Sequence, residues 1–142
     1  MAKQVLRLDD CDQQYDFILI GIICQHKDYR LCYEINRRLE INLAKCEDYE
    51  LTLKARKTVS AFTRFRYKNS HRDEFVLLSN KGSRGVLLPE QPQLDYLLMI
   101  TENQPQDSLS GYVKLLKDIP IILGVFPLDP LQLPSREHLI ME

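Results

Sequence analysis

A chain of 142 residues, 44% hydrophobic and 27% charged, has the make-up of one soluble globular domain that can bury most of its apolar surface. Its formal net charge of −1 argues against a protein dominated by attraction to nucleic acid or acidic membranes. The longest apolar run, Phe17 to Cys24, is far too short to span a bilayer, and no basic n-region with a small-residue cleavage pattern opens the sequence. A cytoplasmic location is therefore expected, with no membrane partner.

The elements follow in chain order. Gln4 to Leu8 alternates enough for a first strand. Asp9, Asp10, Asp12 and Asp16 form an acidic break without the glycine and glutamate of a calcium loop, so they read as a solvated, capping cluster. Tyr15 to Gln25 has two readings. Its isoleucines suit a strand, while its place between an acidic cap and a second helix suits a buried helix. The balance falls on the helix without closing the question. Asp28 to Ile41 is the clearest helix, with Asp28 as N-cap and Leu31, Ile35 and Leu39 on one face. On the same segment Tyr29, Tyr33 and Asn36 read as a packed face plus one satisfied amide.

Cys46 to Leu53 reads as an acidic connection entering a strand. From Leu51 to Arg72 the sign reverses, with seven cations and no carboxylate. Alternation from Ala61 to Lys68 gives a half-buried strand whose outer face carries Arg64, Arg66 and Lys68. Asn69 to Arg72 is a hairpin connection, and Glu74 to Ser79 its return strand. Asn80 to Gly85 has two glycines and two cations, but neither the spacing of a phosphate-binding loop nor a following helix, and reads as a plain β-connection. Asp107 to Asp118 is a helix capped by Asp107 or Ser108, with Leu109, Tyr112, Val113 and Leu116 on its apolar face. Pro120 stops it. Ile121 to Phe126 is a last buried strand, and residues 126–142 form a proline-punctuated tail that wraps the surface. The whole is an α+β fold, one domain over 1–142, with an antiparallel meander covered on one face by helices.

Arg84 to Ile100 is the most informative stretch. Val86, Leu87 and Leu88 read as a short buried strand, and Leu94 with Tyr96 to Ile100 as a longer one. Pro89 and Pro92 lie between them. Each proline lacks an amide donor and pushes its predecessor toward extended geometry, so the connection should be stiff. Glu90 and Asp95 then accept loop amide hydrogens, and Tyr96 is a half-buried strand aromatic with its hydroxyl at the rim.

Leu88-Pro89-Glu90-Gln91-Pro92-Gln93-Leu94-Asp95-Tyr96 resembles the signature of the IPExxxVDY family, small proteins mostly known from Bacteroidota. Pro89, Glu90, Asp95 and Tyr96 match at the right spacing, while Leu88 and Leu94 replace Ile and Val. The stretch Phe17 to Ile22, then Asp28 to Cys32 and Asn36, is similar to the same family, so the resemblance covers nearly the whole chain. It implies no assigned reaction.

The residues themselves name no chemistry. The four cysteines, at 11, 24, 32 and 46, contain no CxxC pair, and a cytosolic chain keeps them reduced. Cys24, His26 and Cys32 fall short of a zinc set, and Cys24 and Cys32 read as small buried apolar residues. No metal, cofactor or catalytic residue is assigned. An enzyme would need Glu90, Asp95 and Tyr96 plus His26 or His71 as base. The reading adopted is a non-enzymatic interaction protein with an unknown protein partner, using the rim around Pro89, Glu90, Asp95 and Tyr96. The alternative is RNA binding on the 54–72 face through Arg64, Arg66 and Lys68, interleaved with Phe62, Phe65 and Tyr67. A homodimer is left open.

Overall fold

Alternating side chains place two different covers on the two faces of one sheet. The computed structural model describes residues 15–53, 57–104 and 108–140. The predicted strand Gln4–Leu8, the cluster Asp9, Asp10 and Asp12, and the cap candidate Asp107 lie outside the described residues. Strands β1 (Ile18–Cys24), β2 (Ala44–Lys45), β5 (Arg64–Lys68), β6 (Glu74–Ser79), β7 (Tyr96–Thr101) and β8 (Ile122–Leu128) form a six-stranded sheet in the order β2-β5-β6-β7-β1-β8. Every pairing is antiparallel. A separate hairpin joins β3 (Tyr49–Leu53) to β4 (Thr58–Phe62). The expected meander is β5-β6-β7, and β1 inserts between β7 and β8.

Ile20, Ile22, Phe75, Leu77, Leu98 and Ile100 face one side of the sheet. There they meet Leu31 and Ile35 of helix α1 (Asp28–Leu39) and Leu116 of helix α2 (Leu109–Lys117). This is the α+β arrangement expected, with helices on one face. Leu19, Val76, Leu78, Leu97 and Met99 face the other side. Phe62 of the hairpin, Leu87, Leu88 and Leu94 of the β6–β7 connection, and Leu133 and Leu139 of the C-terminal tail cover them. Each fully buried side chain of this size contributes about 2 kcal/mol of transfer free energy. The tail descends through two 3₁₀ turns, Pro130–Gln132 and Arg136–Leu139, and is therefore part of the core's second cover.

Several expectations are corrected. Residues 18–24 form a strand, not a helix, because β1 lies between β7 and β8 with both faces buried. A strand buried on both sides loses the alternation that would reveal it. Val86 to Leu88 is not a strand: Val86 makes one isolated bridge to Lys81, and Leu87 and Leu88 are buried without a ladder. The run Ala61–Lys68 is two strands, broken at Thr63, whose carbonyl accepts from Ser79 N–H. β8 is an outermost strand, with Leu123 and Phe126 exposed. The cap position of α1 is Lys27, and Asp28 lies inside the first turn. Tyr29 and Tyr33 are exposed, because each stands two residues, roughly 200° of helical rotation, from a buried neighbour at Leu31 or Ile35.

Candidate functional site

The β6–β7 connection is organised by a residue that its sequence pattern did not mark. Asn80 directly follows β6 and is completely buried. Its side-chain Nδ2 donates to the carbonyls of Gln91 and Leu94, both at 2.9 Å, and its Oδ1 accepts from Leu88 N–H at 2.9 Å. Its main chain adds two more bonds, donating to Asp95 O and accepting from Leu87 N–H. One amide side chain thus closes the loop on itself. Sequence reasoning missed it, since an asparagine before Lys81 and Gly82 is also what an ordinary turn contains.

Closure by Asn80 aims the motif side chains at two other segments, the end of β1 with the residues after it, and the tail. The Asp95 carboxylate accepts Cys24 N–H at the end of β1 (2.9 Å) and pairs with Lys81 Nζ (2.9 Å). The Tyr96 hydroxyl donates to the carbonyl of His26 at 2.7 Å. Glu90 Oε2 accepts Ser135 N–H of the tail at 2.7 Å. Pro89 is exposed on the loop. Asp95 and Tyr96 therefore share a corner with Cys24, His26 and the start of α1, while Glu90 is tied to the tail. A second tie reaches the tail from the same loop, where His138 Nδ1 lies 2.8 Å from Leu87 O.

Electrostatics at the corner disfavour reactivity. Burial pushes the Tyr96 hydroxyl up to about 12, with the Asp28, Cys24 and Asp95 charges adding to it. Burial also raises the Cys24 thiol, and takes that of Cys32 up to about 11. A thiol held protonated is a poor nucleophile and a poor metal ligand. Both cysteines are buried, as expected. Asn36 exchanges bonds with the N–H and C=O of Leu43, the satisfied amide expected of it. The side chains of His26 and His71 are exposed, and among the described residues neither is bonded to Glu90, Asp95 or Tyr96. Among the described residues, no three His, Cys, Asp or Glu side chains cluster as metal ligands.

The basic strand face is partly neutralised. Arg66 pairs with Glu74 at 2.6 Å. Arg64 donates through Nε to Glu47 O and lies over the Tyr49 ring. Lys68 is exposed. Phe62 and Phe65 point into the core, and Tyr67 packs beside Phe75, so none of the three aromatics projects as a stacking platform. Of the described helices, none is long and apolar enough to cross a membrane. In comparison with known proteins, no family model matches the chain and no curated protein matches it.

Proposed function

We propose that the protein acts by binding another protein, through the rim around the motif loop. The observation that carries this reading is the engagement of Glu90, Asp95 and Tyr96 with main-chain groups of two separate segments, the end of β1 running into α1 and the C-terminal tail. Their polar atoms hold a surface in shape instead of waiting for a substrate. What faces outward there is contact material: Pro89, Pro92 and Gln93 on the loop, and Lys81, His26 and Tyr29 where the loop meets β1 and α1. Tyrosine, held on a rigid element, is a common anchor in interfaces. The protein is read as non-enzymatic and cytoplasmic.

The test is a tagged capture from the native host with and without ribonuclease, using wild type, Tyr29→Ala and Gln93→Ala. The expected result is a protein retained after ribonuclease by wild type and lost from a variant with unchanged melting temperature. Retention of nucleic acid alone, lost on Lys68→Ser, would favour the alternative reading of RNA binding by the 54–72 face and overturn this one.

A further inference from the structure

We propose that the outer edge of β8, with the groove between β8 and α2, is a docking site for an extended acidic segment of another protein, added to the sheet as one more strand. This surface lies apart from the motif rim and does not depend on it. β8 pairs along β1, and among the described residues no strand lies on its other side. Such an edge turns main-chain donors and acceptors to solvent and is a template for an incoming strand. Proteins usually blunt it with short length or charge. Here the edge runs seven residues, ILGVFPL, without a single charge. Its only irregularities are the register shift opposite Ile23 and Cys24, and Pro127, which leave Gly124 to Phe126 regular between them. Leu123 and Phe126 are 65% and 44% exposed on this strand.

The groove beside the edge fixes the chemistry of the occupant. It is a shallow, open groove of about 610 Å³ over a floor of Leu109, Val113 and Pro127. The predicted apolar stripe of α2 is wider than the sheet covers: Leu116 is buried, while Leu109 and Val113 remain half-buried and line the groove. Lys114 and Lys117 form its lip. Among the described residues neither makes an ion pair, whereas the adjacent Asp118 is engaged by Arg38. An apolar floor under two unneutralised cations selects an apolar side chain flanked by carboxylates. In an added strand, alternate residues face the same side. A segment with an apolar residue two positions from an acid on either side therefore puts all three toward the groove. The residues between them cover the outer side of the edge at Phe126.

The probe is a fluorescein-labelled peptide containing Glu-Val-Val-Val-Glu, read by anisotropy against the full chain at low salt. Its controls are Lys-Val-Val-Val-Lys and the acidic peptide N-methylated at alternate amides. The acidic probe should bind about tenfold or more tighter than either control, because one control reverses the charge and the other cannot donate to the ladder. Lys114→Glu with Lys117→Glu, both at exposed positions, should transfer the preference to the lysine probe. Equal binding of acidic and basic probes overturns the proposal. So does full binding of the N-methylated probe, which would reduce the site to charge adsorption. These arms use the wild-type chain, so the outcome stands even if the double variant fails to fold. A sedimenting dimer that the acidic probe cannot dissociate would place a second copy on the edge, and would overturn it as well.

Discussion

The Asp95 carboxylate accepts the amide hydrogen of Cys24 across 71 residues of chain. That bond joins the start of β7 to the end of β1, and the reciprocal main-chain bond from Asp95 N–H to Ile22 O runs beside it. The sequence reading expected Asp95 to serve amides of its own loop, and its partner is instead a strand end. The consequence for function is that this corner is fixed before any partner arrives.

Asp95→Ala should therefore be costly. It leaves the Cys24 amide without its acceptor and should lower stability by about 2–3 kcal/mol. Asp95→Asn keeps an acceptor oxygen and loses the pairing with Lys81, so about 1 kcal/mol is expected. Lys81→Ala removes only an exposed ion partner and should cost less than about 1 kcal/mol. Urea midpoints of the three variants give the ordering. An Asp95→Ala protein as stable as wild type would make the residue a surface group available for binding.

Asn80→Ala should be the most damaging loop substitution. It strands Leu88 N–H and the carbonyl of Leu94 in a buried place, and leaves the part-buried Gln91 carbonyl with Leu94 N–H alone. Unpaired buried groups cost about 1–3 kcal/mol each, and partial relaxation of the loop should leave a net loss of about 3 kcal/mol. Because the loop also holds Glu90, whose carboxylate meets Ser135 N–H, the tail should loosen at the same time. Limited proteolysis should cut Asn80→Ala between Pro130 and Leu139 faster than wild type. A variant with normal stability and a protected tail would show that the loop closes without this amide.

The pH response follows from the buried phenol. Tyr96 ionises at about 12 in the fold, above the ordinary tyrosine value, mainly because burial disfavours its charged form. A group whose folded value is raised supports the fold fully below its unfolded value, and that support is lost as pH rises through the folded one. The window is therefore roughly pH 10 to 12. Cys32, raised to about 11 by burial, adds a loss that begins lower, near pH 9. Unfolding followed by circular dichroism should steepen across this range. Tyr96→Phe should flatten the upper part of the slope while losing about 1 kcal/mol at neutral pH with the bond to His26 O. An unchanged alkaline slope in Tyr96→Phe would remove Tyr96 as its source.

Much of the fold was legible, and the misreadings of β1 and of Val86 to Leu88 have one physical origin. β6 was read to the residue because Asn69 to Arg72 and Asn80 to Gly85 bound it with turn chemistry. Helix α1 was read from Leu31 and Ile35, which do face the sheet. β1 was left between strand and helix, with the balance on the helix, because a second cover, supplied by hairpin, loop and tail, buries its other face too and erases the alternation. The same hidden cover explains Leu87 and Leu88, whose apolar run looks like a strand but packs as a loop. For the candidate site, Glu90 and Asp95 were legible as acceptors of main-chain amide hydrogens, but those amides belong to the tail and to β1 and not to their own loop. The partners were not legible, because Cys24, His26 and Ser135 are recruited through main-chain atoms that carry no side-chain signal.

The second cover is fitted closely to the sheet at one glycine. Gly21 sits mid-strand in β1, directly beneath Leu94 of the motif loop. A Cβ placed on Gly21 would stand 2.5 Å from Leu94 Cδ1 and 2.9 Å from Cδ2, closer than carbon atoms tolerate. Leu94 is itself only 1% exposed, so it has little room to yield. Gly21→Ala lowers the chain entropy of the unfolded state, which favours folding by about 0.4–1 kcal/mol. Overpacking costs about 1–3 kcal/mol, so a net loss of about 1–2 kcal/mol is expected. Leu94→Ala alone opens a cavity and should cost about 2–5 kcal/mol. In the double variant the new methyl group occupies part of that cavity and meets no leucine. Its loss should therefore fall short of the sum of the single losses by about 1 kcal/mol or more, since residues in contact do not behave additively. Denaturant unfolding of the four proteins measures this coupling. Strict additivity would mean that Leu94 does not rest on Gly21, and that the loop meets the sheet in some other register.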